Sequence, residues 1–392
     1  MEEKTQNDGK SILALILGVG LLGMMGGALM GPVLPALSEK FLVGSSRVGL
    51  VITVYAAATA LTFSLMGFLT DKYGRKKVII PALFINGAAG IIGALAPNFS
   101  VLLIARAVQG VGIAGMVPMA LVLIGDLYRG NQKASAMGSL SSTRSAGGII
   151  APLLGGGLAS LDWRFAFLVY AASIPLALIL WFRFPFPNGD PSISIREYLK
   201  PLKKAVKNHE VQAVLFMNFL SFFLVYTVVT FTPQRLVSTF GMSEAIAGAF
   251  LSVQAVATIS IAIQSGRLVN LAPKKYLIGL GFLVSGLGFL ILPTWEIISW
   301  IAFSLIIFGL GRGLYQPQVN TLVTDVAPKG RLGGIASVNN IARYAGQMVA
   351  PFFLGIVKTF TSFSVVFRIS GLIGIAMGIG TLSFVISGIL NS

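Results

Sequence analysis

Five arginines sit inside otherwise apolar runs: Arg106, Arg144, Arg312, Arg343 and Arg368. None of the 13 acidic residues accompanies them; all lie in tails, loops or the ends of such runs. A guanidinium stays charged and presents five donors in a rigid fork, so it suits holding a carboxylate or phosphate, not carrying a proton. Arg144 and Arg343 each lead one version of a phrase, RSAGGIIAPLLGG and RYAGQMVAPFFLG, 199 positions apart. Each stands about eleven residues into its run, roughly 16 Å deep at ~1.5 Å per residue. That depth is near a bilayer midplane, where a lipid-facing charge is expensive and a cavity or bundle seam is the alternative. Two readings follow. Either each arginine meets an anionic or zwitterionic small molecule, or both bond backbone carbonyls and Ser/Asn groups and fix packing.

The elements that must position them are membrane helices. Of 392 residues, 55% are hydrophobic and 11% charged, against roughly a quarter charged in soluble domains. A helix needs about 20 apolar residues to cross a bilayer. The pattern predicts an all-α polytopic protein with twelve spans. The first six fall near Ser11–Val33, Val48–Leu69, Val78–Ala96, Val101–Ile124, Ala134–Ser160 and Phe165–Phe182. The second six fall near Val211–Phe231, Ser243–Ser265, Tyr276–Leu292, Ile297–Val323, Leu332–Val357 and Val365–Ile389. With a cytoplasmic N-terminus, 19 Lys/Arg lie on the cytoplasmic side. Lys40, Arg47, Arg164, Arg235 and Lys358 lie opposite. This positive-inside bias places both termini in the cytoplasm of a prokaryotic plasma membrane. It also assigns the +16 charge to topology and lipid headgroups, not nucleic acid.

The 199-residue offset extends well beyond the two phrases. It aligns Gly67 with Gly266, Asp71 with Asn270, Gly110 with Gly309, Gly112 with Gly311, Pro118 with Pro317 and Asp126 with Asp325. Six spans per half preserve orientation, so the halves are expected as parallel pseudo-symmetric bundles. Residues 1–182 form the first, 183–210 a cytoplasmic linker and 211–392 the second. The linker reads equally as an interfacial helix interrupted by Pro201 or as a solvated basic tether.

GFLTDKYGRKK, from Gly67 to Lys77, falls between spans two and three. Asp71 can accept from helix-terminal N–H groups, Arg75 can clamp a carboxylate, and Asp126 is a candidate partner. Such bonds would break and reform as one side opens; the plainer reading is a charged turn serving topology. With this motif, the chain resembles the major facilitator superfamily, and in particular its twelve-span drug and metabolite proton antiporters. The resemblance implies a conformational gate of Gly67, Asp71, Gly74, Arg75 and Asp126 that stabilises an outward-open state. The second copy departs from it, with Asn270 in place of Asp71.

RAVQGVGIAG, beginning at Arg106, resembles a span-four motif of the family's exporters, which implies a coupling role for Arg106. Physically, Arg106 could orient Gln109 and water, or reach a headgroup from its helix end. APLLGG resembles the span-five antiporter motif, although Ala151 stands where glycine is usual. It implies export and a helix seam of Gly147, Gly148, Pro152, Gly155 and Gly156, where proline kinks and glycine permits close packing. Polar and aromatic residues in spans add cavity candidates: Gln109, Asn218, Tyr226, Gln254, Tyr315, Gln316, Asn339, Asn340, Tyr344 and Gln347, beside Arg144 and Arg343.

No cysteine is present, the lone His209 lies in the linker, and no phosphate loop or metal cluster is visible. Neither an enzyme nor a cofactor is therefore expected. The expected function is secondary active transport by alternating access: proton-coupled export of a small amphipathic molecule or metabolite by a monomer. Uptake or exchange of an organic anion is the alternative within transport. A transport-inactive membrane sensor or scaffold is the alternative outside it.

Overall fold

The computed structural model describes residues 2–183, 186, 190, 192, 194–195, 206–294, 296–326 and 332–383. Most of the linker, and the end of the last expected span, lie outside the described residues.

The first half comprises α1 (Glu2–Ala28), α2 (Leu34–Lys40), α3 (Ser45–Val48), α4 (Leu50–Tyr73) and α5 (Arg75–Ala94). It continues through α6 (Phe99–Met116), α7 (Met119–Leu127), α8 (Gly130–Ala159), α9 (Trp163–Leu168), a 3₁₀ turn and α10 (Ser173–Arg183). The second comprises α11 (His209–Phe240), α12 (Glu244–Ala262), α13 (Ser265–Leu271) and α14 (Lys274–Ile291). It ends with α15 (Ile298–Asp325), α16 (Leu332–Phe360) and α17 (Phe363–Ser383). No strand occurs among the described residues.

Every expected span overlaps a helix, but the boundaries shift for local reasons. Asn98, Asp162, Asn208 and Ser243 cap helix starts by accepting from backbone N–H groups, which satisfies donors left without helical partners. Span four breaks at Val117–Pro118 between α6 and α7, where proline lacks the donor that would continue the ladder. Span two runs on to Tyr73, so Asp71 lies in a final helical turn and only Gly74 makes the reversal, at φ 90°. That conformation favours glycine.

By length and composition, ten segments can cross a membrane among the described residues. The two remaining long helices, α8 and α16, carry the repeated arginine phrases. The α8 half NQKASAMGSLSSTR and the α16 run Ser337–Arg343 are too polar to face lipid on every side. Such helices are stable in a bilayer where the polar side faces protein or water.

The packing carries the 199-residue repeat into three dimensions. Gly110 lies against the Tyr55 carbonyl as Gly309 lies against that of Gln254, leaving no room for a Cβ. Gly112 lies against Ala82 as Gly311 lies against Gly281. The α8–α12 and α4–α16 contacts between the halves correspond as well. Ser252 Oγ donates to the Ile149 carbonyl at 2.7 Å, and Thr53 Oγ1 to that of Met348 at 3.4 Å. Gly248 meets Pro152 while Gly49 meets Pro351; Gly156 meets Glu244 while Gly355 meets Ser46. In lipid, where burial of apolar surface gives little drive between helices, close backbone approach supplies the attraction. These contacts join the halves at the end opposite Gly74, here called the far end; the other is the gate end.

Candidate functional site

A cavity of about 600 Å³ lies between the halves and reaches the gate end at Gly67, Thr70, Asp71 and Asn320. One wall is α1, with Gly20, Gly23, Met24 and Gly27 facing the space. Gly27 is there because Tyr226 Oη and Gln347 Nε2 occupy the volume a side chain would need. α4 contributes Tyr55 and Phe63, α8 contributes Arg144, and α11 contributes Phe222 and Tyr226. α16 supplies most of the polar surface: Asn339, Asn340, Arg343, Tyr344 and Gln347. This stripe is the physical reason α16 falls short of a fully apolar span.

The two repeat-related arginines line this same cavity from opposite halves. Arg144 donates to the Val117 carbonyl at 3.1 Å, beside the break between α6 and α7. Arg343 lies over the Phe222 ring, 4.3 Å from its centroid, and has no ion-pair partner among the described residues. A cation over a ring face gains from the quadrupole, but the ring cannot accept as a carboxylate does. Asp71, at the gate-end mouth, is the one acidic residue among those lining the cavity. The charged side chains lining it are two arginines and one aspartate.

Several candidate cavity residues are placed elsewhere. Gln109 is wholly buried inside the first half, where it accepts from Arg106 and donates to Asn86 Oδ1 at 3.1 Å. Asn86 continues the chain to Ser173 Oγ at 2.7 Å. Asn218 and Gln254 are buried within the second half, and Tyr315 stacks on Phe282 at 4.1 Å. Gln316 accepts from Ser221 and donates to Asn320. None of these five lines the cavity. Helix rotation decides this outcome: Gln109 lies three residues beyond Arg106, so both share one inward face.

Arg106 itself is wholly buried and hydrogen-bonded through all three of its nitrogens. It donates to the carbonyls of Val51 at 3.2 Å and Gly26 at 2.9 Å and to Gln109 Oε1, and it lies 4.3 Å from the centroid of Tyr55. It joins α1, α4 and α6, and none of its partners is a carboxylate. Of the two readings of Arg106, the reach to a headgroup is absent, and the contact with Gln109 is present within an internal network.

At the gate end, Arg75 Nε meets Asp126 Oδ2 at 3.0 Å. Asp71 has no ion pair among the described residues; its backbone carbonyl accepts from the Asp190 N–H at 2.9 Å. Its carboxylate does not cap α5, whose N-cap is Gly74 without a side-chain bond. The second half reproduces the ion pair as Lys274–Asp325, also at 3.0 Å, at the corresponding repeat positions. In the expected seam, Gly147 crowds Leu21, Gly155 the Leu29 carbonyl, and Gly156 Glu244 across the halves. Gly148 differs, with open space where a Cβ would stand.

Tyr55 and Phe63 join the cavity wall beyond the candidates named from the sequence, and Arg312 is a further buried cation. Arg312 Nε is buried without a hydrogen-bond partner among the described residues. Its signal was its position in an apolar run with no acid; the aromatics had no signal among 27 phenylalanines and 9 tyrosines.

Comparison with known proteins agrees with this architecture. The chain is 28% identical to the bacillibactin exporter of Bacillus subtilis (strain 168), covering 87% of this chain and 88% of that one. It is 30% identical to the multi-drug resistance efflux pump PmrA of Streptococcus pneumoniae, over 83% of each. Among solved structures, a bacterial homolog of the human lysosomal transporter Spinster, inward-facing and occupied, superposes with a TM-score of 0.75 at 19% identity. That match covers 95% of this chain and 93% of the other. The family model of the Major Facilitator Superfamily matches residues 16–351. With that match over most of its length, the chain belongs to the Major Facilitator Superfamily of membrane transporters.

Proposed function

We propose that this transporter exports a small amphipathic molecule or metabolite bearing an anionic or zwitterionic group, in exchange for protons. The observation that carries the substrate class is the pair Arg144 and Arg343, one from each half, in a cavity whose single lining acid stands at its mouth. A desolvated guanidinium short of acceptors favours an anionic partner. Efflux direction is supported by the exporter and the efflux pump among the relatives.

Residues 1–182 and 211–392 act as two bodies joined by the linker 183–210, and their rocking about the cavity provides alternating access. The positive-inside bias puts the gate end and both termini in the cytoplasm. The far-end contacts then close the outer side, and this conformation is the one that loads cargo from within. Asp71, titratable and unpaired at the cavity mouth, is the group available to couple protonation to the gate. A single chain contains both halves of the cavity, so a monomer suffices.

Proteoliposomes with independently set pH and cargo gradients test this reading, with radiolabelled salicylate as probe. Concentrative movement that collapses with the proton gradient is expected. Movement that persists without a proton gradient and follows a counter-anion would replace proton-driven export with organic-anion exchange. Binding with neither flux nor exchange would make the chain a sensor.

A further inference from the structure

The cavity is more selective than a positive pocket would be. Besides Arg144 and Arg343 it is lined by five aromatic residues, the buried Tyr55 and Phe63 from one half and Phe222, Tyr226 and Tyr344 from the other. Phe222 and Tyr226 lie one helical turn apart with centroids 6.5 Å apart and planes within 23°, forming a ledge along α11. The guanidinium of Arg343 rests on the Phe222 end of that ledge.

Two amide groups on the same α16 stripe are also incomplete. Asn339 Oδ1 and Gln347 Nε2 are buried with no hydrogen-bond partner among the described residues, and both residues line the cavity. They stand four residues to either side of Arg343, a spacing that puts all three on one helix face. Buried polar atoms without partners are uncommon, and each costs its full desolvation unless a ligand or water completes it. The stripe thus carries a charged donor at its centre, with a neutral donor on one side and an acceptor on the other, both packed against protein and turned to the cargo by a side-chain rotation.

We propose that the cargo class is a planar aromatic carboxylate carrying a hydroxyl or amine donor. This rests on the anionic-cargo reading above and makes it specific. The carboxylate takes Arg343 and Gln347, with Arg144 approaching from the opposite half. The ring lies on the Phe222–Tyr226 ledge, and its donor reaches Asn339. Phe222 holds the Arg343 guanidinium by its π face, and the anion supplies the acceptors the ring lacks. Phe222 is in this scheme a specificity residue, selecting flat cargo over puckered cargo of equal charge.

The test uses full-length protein in detergent and measures equilibrium binding of radiolabelled salicylate, with competition by benzoate, cyclohexanecarboxylate and methyl salicylate. Salicylate should compete best. Cyclohexanecarboxylate should bind at least about threefold more weakly than benzoate, the scale of an aromatic pair beyond its buried area. Methyl salicylate, which lacks the charge, should bind at least about tenfold more weakly than salicylate. Arg343→Gln should cost about tenfold or more in salicylate affinity, with Arg343→Lys recovering part of it. Phe222→Leu should abolish the preference for benzoate over cyclohexanecarboxylate while leaving the dependence on charge. Monodisperse gel-filtration profiles for each variant establish that it is folded.

Equal binding of benzoate and cyclohexanecarboxylate would overturn the aromatic assignment while leaving anionic cargo standing. Equal binding of salicylate and its methyl ester, or no effect of Arg343→Gln in folded protein, would overturn both.

Discussion

Arg106 and Arg343 are both arginines within membrane helices, and they are treated in opposite ways. Arg106 has three oxygen acceptors and a tyrosine face, all from its own half. Arg343 faces a cavity, lies on Phe222 and has no ion-pair partner among the described residues. The first is closed off as a structural joint among α1, α4 and α6. The second is left incomplete where the halves meet. The difference teaches that burial in a membrane helix does not by itself leave a guanidinium open to a ligand; the supply of protein acceptors decides that.

The largest effect should come from Arg106→Met. Removing the guanidinium leaves Gln109 Oε1 without its donor in a buried site and takes one donor each from the Gly26 and Val51 carbonyls, at a cost of about 1–3 kcal/mol. Thermal unfolding in detergent should show a lower midpoint, and transport should be lost with it. A variant as stable as the parent that has lost only its proton dependence would erase the contrast and return Arg106 to the coupling role that the family resemblance implies.

Arg343→Gln should do the reverse. Its removal takes away a charge that no protein acceptor compensates, so stability should hold or rise by up to ~1 kcal/mol. Transport of salicylate should nevertheless fall by about tenfold or more. Arg144→Gln sharpens the point, because Arg144 is the repeat counterpart with one carbonyl already in hand. It should cost some stability and a smaller share of transport, and equal losses in both variants would show that the Val117 bond is immaterial.

The repeat explains which parts of this contrast were visible in the sequence. Glycine and proline recur at a constant offset because close helix approach tolerates few alternatives, and the matched contacts of Gly110 with Gly309 and of Pro152 with Pro351 followed directly. The pairing of Arg144 with Arg343 came from the same frame. What could not be read was helix rotation. Gln109, Asn218, Gln254 and Tyr315 are as polar or aromatic as Asn339 and Tyr344, yet they turn into the bundles. In lipid, a polar residue can be stabilised by a neighbouring helix or by a cavity, and its type does not reveal which. Asp71 was misplaced for a related reason: the apolar pattern fades before Tyr73, while the helix continues to Gly74 through backbone bonds that need no apolar side chain.

Asp71→Asn gives the first loop the residue that the second carries at this position, Asn270. Because Asp71 makes no ion pair in this conformation, stability should change by less than about 0.5 kcal/mol, the scale of surface substitutions away from paired groups. The effect should fall on coupling: salicylate counterflow between equal pools persists, while accumulation driven by a pH gradient drops several-fold. If accumulation is unchanged, the asymmetry between the two loops has no bearing on proton use, and coupling must pass through a residue outside the cavity mouth.

The smallest effect concerns the feature the halves share most closely. Arg75–Asp126 and Lys274–Asp325 occupy equivalent positions at the same 3.0 Å separation, with side chains between 14% and 38% exposed. Ion pairs this open to solvent are worth about 0.2–1 kcal/mol, and screening by salt reduces them further. Double-mutant cycles with alanine at each pair should return coupling energies in that range. The Arg75 pair should exceed the Lys274 pair, because the guanidinium holds a carboxylate with a fixed fork while an ammonium is a mobile point charge. Reversing that order would mean that the gate strength lies in the second half, where the sequence motif is weaker. The charge lost at Asn270 would then be offset by the tighter lysine bond beside it.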